Sequence, residues 1–141
     1  MHGKQMKILI AEDEHQIAKQ YKIVLEARKH HAVTTPDGEE CLRVYRDALK
    51  QTGTKSDNGS PFDVVVLDYR MPGMNGMEVA KEILKLNPKQ RIIFASAFVR
   101  ELLLESAKEL NQPVEFIQKP FKLGAIVDTI EGSQEKLAPK N

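Results

Sequence analysis

The sequence predicts an open parallel α/β sheet with helices on both of its faces. Five short apolar runs punctuate the chain, at residues 7–11, 32–35, 62–67, 91–95 and 114–117. Most of these runs are continuously apolar rather than alternating, which is typical of parallel strands that are covered on both sides. Helical patterns separate the runs, and five alternating strand–helix units favour a doubly wound sheet.

Each predicted strand is followed by a segment with one apolar helical face. In chain order, the faces consist of Ile17, Tyr21, Val24 and Leu25; Cys41 or Leu42, with Tyr45 and Leu49; Ala80, Ile83 and Leu84; Val99, Leu102 or Leu103, Ala107 and Leu110; and Leu123, Ile126, Val127 and Ile130. Two helix starts fit a capping box, Asp37 with Glu40 and Asn75 with Glu78. We therefore expect the second and third helices to begin directly after Asp37 and Asn75.

A single domain is expected over residues 1–132, because a chain of 141 residues suits one core. The polar segment 51–61 interrupts the pattern, and we interpret it as a long mobile loop inserted between the second helix and the third strand. Residues 133–141 form a short polar tail. This tail is too short for an output domain, so a stand-alone domain is expected.

The composition argues against several classes of function. Lys and Arg number 21 against 20 Asp and Glu, for a net charge of +1, and no block of like charges stands out, so direct binding to nucleic acid or a membrane surface is not expected. The apolar runs are far shorter than the roughly 20 residues of a membrane-spanning helix. The N-terminus lacks a signal-peptide hydrophobic region, and the single Cys41 excludes an internal disulfide. A cytoplasmic protein is expected.

Chemically useful residues follow four of the five predicted strands. The first strand runs into Glu12 and Asp13, the third into Asp68, the fourth into Ser96 and the fifth into Lys119. Ligands of open α/β sheets bind at the carboxyl ends of the strands. Three acids at one edge repel one another, which indicates a cation such as Mg²⁺ or a use for a reactive carboxylate. A hydroxyl and an ammonium group beside them suit the oxygens of a phosphoryl group in transfer.

These residues, with the turn at 71–76, the pair Ser96-Ala97 and the run Lys119-Pro120-Phe121, resemble the CheY-like receiver domain of two-component response regulators. The resemblance spans residues 7–131. It implies a flavodoxin-like strand order 2-1-3-4-5 with five helices. It also implies a phosphoacceptor signalling switch, which is not an enzyme but supplies catalytic groups for its own phosphorylation and dephosphorylation.

The resemblance assigns the phosphoacceptor and the metal ligands. Asp68 would accept a phosphoryl group from the phosphohistidine of a sensor histidine kinase or from a phosphotransfer protein. Glu12, Asp13, Asp68 and the backbone carbonyl of Arg70 would hold Mg²⁺ as the cofactor.

The resemblance also implies how the signal leaves the site. Ser96 would hydrogen-bond one phosphoryl oxygen and Lys119 would pair with another. The ring of Phe116, at the aromatic switch position, would turn into the space that Ser96 vacates. A downstream protein, which the sequence does not identify, would then bind the face formed by the fourth helix, fifth strand and fifth helix, and a phosphorylation-dependent dimer is left open. A cis Lys119–Pro120 bond, common in receivers, is expected.

Two departures from the family pattern stand out. The segment 51–61 is longer than the family norm. Arg70 and Phe98 occupy variable positions, two residues after Asp68 and Ser96, that flank the route of the hydrolytic water in receivers. We hypothesise that the bulky Phe98 shields the acyl phosphate.

Two other functions compete with the phosphoacceptor switch. A Mg²⁺-dependent phosphohydrolase also uses an aspartyl phosphate, but the haloacid-dehalogenase type needs a second Asp two residues after the first. The sequence Glu12-Asp13-Glu14 does not have that spacing. A receiver-like scaffold that acts without phosphorylation is the other alternative, and the intact acid set with Lys119 argues against it.

Ordinary structural roles are expected for the histidines and the cysteine. His15 should be exposed in the first turn of the first helix. His30-His31 should be a solvated loop pair, since metal-ligand spacing is absent. Cys41 should lie in the core.

Three further positions keep structural alternatives. One of the three leucines at residues 102–104 should be exposed, because all three cannot face inward on one helix. Ser96 as a cap of the fourth helix and Phe116 as permanent core are alternatives that the sequence leaves open.

Overall fold

The computed structural model describes residues 5–51 and 59–132 of the chain. Most of the predicted inserted loop, at 52–58, and the predicted tail, at 133–141, lie outside the described residues. Strands and helices alternate in the order β1 Lys7–Ala11, α1 His15–Ala27, β2 His31–Thr35, α2 Gly38–Lys50, β3 Val64–Asp68, α3 Gly76–Leu86, β4 Ile92–Ser96, α4 Val99–Glu109, β5 Glu115–Gln118 and α5 Leu123–Glu131.

The strands form one parallel sheet in the order β2-β1-β3-β4-β5, which confirms the predicted fold class. All residues of β3, the central strand, and of its neighbour β4 are buried, as the apolar runs in their sequences predict. The register places Ala11 beside Leu67 and Asp68 beside Ala95. The carboxyl ends of β1, β3 and β4 are therefore level, and the residues that follow them meet at one edge.

The sheet separates two apolar cores, because successive residues of a strand point to opposite faces. Leu9 and Val65 belong to the core under α2, α3 and α4. Ile8 and Val64 belong to the core under α1 and α5. Three helices on one face and two on the other give the doubly wound arrangement.

The two predicted capping boxes differ in the structure. At α3, Asn75 Oδ1 accepts from the Glu78 backbone N–H and Glu78 Oε1 accepts from the Asn75 N–H, both at 2.9 Å, so the box is complete. At α2, Asp37 Oδ1 accepts from the Glu40 N–H at 2.8 Å. The carboxylate of Glu40 instead pairs with Arg43 one turn later, so this box is only half formed.

The expectation of a solvated His30-His31 loop pair is wrong. His30 is buried; its Nδ1 accepts from the Met6 backbone N–H at 3.1 Å, and its Nε2 lies 2.7 Å from Glu131 Oε2. His31 is exposed but begins β2. These partners of His30 are remote in sequence, so the local pattern could not reveal them. His15 is exposed and Cys41 is buried, both as expected.

The N-terminal half of α4 bears on one alternative that the sequence left open, the capping role of Ser96, and corrects one expectation, the number of exposed leucines. Phe98 is the N-cap residue, and Ser96 is the last residue of β4. Ser96 Oγ accepts the Phe98 backbone N–H at 2.8 Å, so its hydroxyl braces the residue before the helix rather than capping the first turn. Leu102 is buried, whereas Leu103 and Leu104 are 51% and 63% exposed, so two leucines face solvent instead of one.

A buried ion pair closes the amino-terminal side of the sheet. Arg91 Nε and Nη2 each lie 2.8 Å from a carboxylate oxygen of Glu115, and both side chains are more than nine-tenths buried. The same guanidinium donates to the backbone oxygens of Thr129 and Ile130, both at 2.8 Å. Arg91 therefore fastens the C-terminal turn of α5 to β5. None of the helices in the described part of the chain has the length and apolar character needed to span a membrane.

Candidate functional site

Three carboxylates meet at the carboxyl edge of the sheet. Oxygens of Glu12, Asp13 and Asp68 lie within 4.8 Å of one another, as the positions of these residues at the strand ends predict. Glu12 and Asp68 are buried and Asp13 is exposed, so the cluster opens to solvent on one side.

Backbone hydrogen bonds fix the two buried acids in place. The Glu12 N–H donates to the Thr35 carbonyl at 3.0 Å, which continues the ladder between β1 and β2 by one residue. Glu12 Oε2 accepts from the Glu14 N–H at 3.1 Å. Asp68 is the last residue of β3, beside Ala95 of β4. The rigid sheet therefore positions these carboxylates.

Lys119 lies between the two buried acids. Its Nζ is 3.0 Å from Asp68 Oδ1 and 3.2 Å from Glu12 Oε1. The Lys119 backbone N–H donates to the Ser96 carbonyl at 2.8 Å, and the Lys119–Pro120 bond is cis, as expected. The Lys119 side chain thus extends from the end of β5 past the end of β4 to reach the two acids.

Burial governs the electrostatics of the cluster. It raises the pKa of Asp68 to about 7, with a further contribution from the charge of Glu12 and against the opposing effect of Lys119. Burial also raises the pKa of Glu12, although the Glu14 N–H and Lys119 act in the opposite direction. Burial alone would lower the pKa of Lys119, but its hydrogen bond to Asp68 and the charges of both acids raise it. Burial is therefore the main cause of the raised pKa values of both buried acids, and Lys119 offsets it only in part.

The turn after β3 brings the start of α3 close to Asp68. A Cβ atom at Gly76 would lie 2.7 Å from the Asp68 backbone oxygen and 3.0 Å from the Tyr69 Cα. The Gly76 N–H donates to the Tyr69 carbonyl at 2.8 Å. Only glycine allows this close approach of backbone to backbone. The Asn75-Gly76 step thus fixes both the helix start and the shape of the site.

Ser96 lies on β4, the neighbour of β3, and Phe116 lies on β5, on the other side of β4. Ser96 follows Ala95, the register partner of Asp68, and is buried. Phe116 is half-buried, packs against the core under α4 and stacks on Phe94 with ring centroids 5.8 Å apart. Their roles in phosphoryl binding and switching stay predictions, as does the role of the Arg70 carbonyl.

The structure adds contacts that the sequence did not suggest. Tyr69 Oη donates to Glu105 Oε1 of α4 at 2.9 Å. The Arg70 Cζ lies 4.4 Å from the centroid of the Phe98 ring. Neither contact has a local signal, because each joins residues from different loops or helices.

An apolar cavity of about 380 Å³ adjoins Lys119, between α1 and the start of α5. Tyr21 and Phe121 stack in its wall with ring centroids 5.9 Å apart. The sequence indicated Tyr21 only as part of an apolar helical face. Its position beside Lys119 depends on how α1 packs, which the helical period does not specify.

The acids, the lysine and the strand order match one known family. The family model for the response regulator receiver domain matches residues 8–131. The chain belongs to the response regulator receiver family. A receiver domain is a phosphoacceptor switch of two-component signal transduction and in general is not a classical enzyme, so the predicted function is confirmed at this level. A phosphohydrolase and a phosphorylation-independent scaffold are not favoured.

Relatives of this receiver domain include both short and long proteins. It is 29% identical over 125 residues to the chemotaxis protein CheY of Thermotoga maritima, and the aligned region covers 88% of this chain and 93% of CheY. It is 31% identical over 128 residues to the response regulator RR06 of Streptococcus pneumoniae, and the aligned region covers 89% of this chain and 52% of RR06. The chain therefore spans nearly all of CheY but about half of RR06.

Solved structures show the same fold. A response regulator receiver domain from Clostridium thermocellum aligns with a TM-score of 0.70 at 25% identity, covering 88% of this chain and 90% of that one. The response regulator TrrA of Thermotoga maritima, in complex with Mg²⁺-BeF, aligns with a TM-score of 0.66 at 26% identity. The alignment covers 89% of this chain and 96% of the TrrA chain.

The acidic pocket fits the Mg²⁺ that receiver domains bind. Carboxylate oxygens are the ligands that this ion prefers in proteins. Glu12, Asp13 and Asp68 bring such oxygens within 4.8 Å of one another. These three carboxylates share one ammonium group, that of Lys119, and a divalent cation would offset the repulsion among them.

Proposed function

We propose that Asp68 is the phosphoacceptor of this receiver domain and that a sensor histidine kinase or a phosphotransfer protein is its donor. The observation that carries the proposal is the contact of Lys119 Nζ with Asp68 Oδ1 at 3.0 Å beside two further acids. Among the described acids, only Asp68 ends a buried central strand with an ammonium group on one oxygen and other carboxylates on its flank. This is an arrangement for neutralising charge that develops during transfer.

In the proposed step, a carboxylate oxygen of Asp68 forms a bond to phosphorus of the donor phosphohistidine. The phosphorus–nitrogen bond breaks, and its electron pair stays on the imidazole nitrogen, which takes up a proton. The product is an acyl phosphate. The Lys119 ammonium group now balances the negative charge of the Asp68 carboxylate. After transfer it is placed to pair with a phosphoryl oxygen instead, and so to balance the charge of the phosphoryl group.

Glu12, Asp13, Asp68 and the Arg70 backbone carbonyl would hold the Mg²⁺. When bound, the ion supplies positive charge beside the phosphoryl oxygens. Glu12 is the most constrained of these ligands, because the Glu14 N–H holds one of its oxygens and Lys119 the other. Asp13 is exposed and free to adjust to the ion.

Ser96 and Phe116 would report the phosphoryl group to the surface. The Ser96 hydroxyl oxygen accepts from the Phe98 N–H at 2.8 Å, which leaves its hydrogen available for a phosphoryl oxygen. Inward movement of Ser96 would move Phe98 and the start of α4. Phe116 would turn toward the vacated space, since a phenyl ring has no polar group to satisfy on burial.

We place the output on the face formed by α4, β5 and α5. The half-buried Phe116 and the exposed Leu103 supply apolar contact area there. A downstream protein is the proposed partner, and a second copy of the chain is an alternative occupant of the same face. Signalling in the cytoplasm completes the proposal.

Phosphorylation of purified protein tests the assignment of Asp68. A small phosphodonor with Mg²⁺ should add one phosphoryl group to the wild type, labile to base as acyl phosphates are. Asp68→Asn should remove the modification, because an amide is no nucleophile for this step. Asp128→Asn, which changes an exposed acid on α5, is the matched control and should be modified like wild type. Wild-type modification of Asp68→Asn would exclude Asp68 from this role.

A further inference from the structure

The two residues that follow Asp68 both contact the region of α4. The Tyr69 hydroxyl donates to Glu105, in the middle of α4, at 2.9 Å. The Arg70 guanidinium lies over the ring of Phe98, the N-cap residue of α4, with its Cζ 4.4 Å from the ring centroid. The end of β3 is therefore joined to α4 at its start and at its centre.

The polar contacts of α4 lie on one side of the helix. Glu109, one turn after Glu105, contacts Lys81 of α3 at 2.8 Å, so both acids mark the side that faces α3 and the turn after β3. At 3.6 residues per turn, Leu103 points roughly 160° away from Glu105. Leu103 is 51% exposed, so the opposite side of α4 is only loosely covered. Among the described residues, the side-chain hydrogen bonds and ion pairs that join α4 to other elements thus lie on the side that faces α3.

These contacts accompany a direct ion pair between Asp68 and Lys119. Lys119 Nζ donates to Asp68 Oδ1 at 3.0 Å. A phosphoryl group on Asp68 would have to be accommodated at this position. Tyr69 is the residue covalently attached to Asp68. A displacement of the end of β3 is therefore transmitted directly to the Tyr69 side chain.

We propose that the hydrogen bond between Tyr69 and Glu105 is a latch that holds α4 in its unphosphorylated position. The latch rests on the proposed role of Asp68 and acts in addition to Ser96 and Phe116. Hydrogen bonds weaken steeply when donor and acceptor lose alignment. A small displacement of Tyr69 on phosphorylation therefore releases Glu105, and α4 moves away from α3.

The latch makes a quantitative prediction about affinity. A contact present in one of two states favours that state, so its removal favours the other. By reciprocity, a ligand that favours the released state then binds more tightly. Removal of one hydrogen bond should raise the affinity for beryllofluoride, a phosphoryl mimic, by roughly two- to tenfold. A merely structural contact would lower stability without tightening this binding.

The experiment compares Tyr69→Phe, which keeps the ring, with Glu105→Leu, the double variant and Glu105→Gln, which keeps an acceptor. Lys81→Met is the matched control, because it removes an exposed pair of α4 that is not joined to β3 and contributes little. Amide NMR titration with beryllofluoride and Mg²⁺ gives the affinity. Amide hydrogen exchange of α4 without ligand measures the restraint itself.

The latch predicts tighter beryllofluoride binding and faster α4 exchange in Tyr69→Phe and Glu105→Leu, with no further gain in the double variant. Glu105→Gln should lie close to wild type, and Lys81→Met should match it. Unchanged or weaker binding by Tyr69→Phe, with normal shifts beside Asp68, overturns the latch alone. Absence of shifts beside Asp68 in wild type overturns the proposed function, and the latch with it.

Discussion

Among individual residues, Phe98 has a large apolar ring that is 42% exposed, two residues after Ser96 of the proposed phosphoacceptor site. The ring is held by the guanidinium of Arg70, whose Cζ lies 4.4 Å from its centroid. Exposed cation–π pairs contribute about 0.5–1 kcal/mol. The pair links the loop after β3 to the loop after β4, where we expect water to approach the acyl phosphate.

Phe98→Ala should therefore shorten the lifetime of the phosphorylated protein, by about two- to fivefold if the lost cover is worth one such contact. The lifetime is measured by following loss of the phosphoryl group after the donor is removed. Leu104→Ala, which shortens another exposed apolar residue of the same region, should leave the lifetime unchanged. Equal lifetimes for Phe98→Ala and wild type would show that the ring does not shield the site.

At the scale of secondary-structure elements, α5 depends on a charged residue outside the helix. Arg91, just before β4, pairs with Glu115 at 2.8 Å and also donates to the last carbonyls of α5. Carbonyl groups at a helix C-terminus lack partners within the helix. The guanidinium supplies those partners and brings a positive charge to the negative end of the helix dipole.

Arg91→Met should destabilise the protein by about 3–5 kcal/mol, because it leaves Glu115 buried without its partner. The free energy of unfolding is measured by urea titration. The double variant Arg91→Met with Glu115→Leu should recover much of this loss, since no unpaired charge remains buried. A loss below 1 kcal/mol in the single variant would contradict a supporting role for the pair.

At the scale of the whole molecule, a Mg²⁺ ion in the acidic pocket would link ion binding to folding. A ligand that binds only the folded state raises its stability. Mg²⁺ at millimolar concentration should therefore raise the melting temperature, and removal by chelation should reverse the rise. Asp13→Asn should melt at or above the wild-type temperature without Mg²⁺, because repulsion is relieved, and should gain much less when Mg²⁺ is added. An equal gain in both proteins would remove Asp13 from the metal site.

The site could be predicted because its residues follow apolar strands directly. Asp68 and Lys119 each stand at the end of a strand, and parallel strands bring their ends to one edge. Partners joined only by helix packing were not predictable in this way. The bond between His30 and Glu131 spans 101 residues, and that between Tyr69 and Glu105 spans 36. At Asp37 the capping pattern was present, but the Glu40 carboxylate pairs with Arg43 and does not complete the capping box.

The length of β4 also separates the stabilising ion pair of Arg91 from the proposed phosphoacceptor site. Arg91 and Ser96 stand at opposite ends of β4, and five residues of extended chain span about 16 Å. Substitutions separated by more than about 10 Å usually have additive effects. Changes around Arg91 can therefore accumulate without altering the proposed reactivity of Asp68, so evolution and protein engineering can adjust thermal robustness and the proposed phosphoryl chemistry as separate traits.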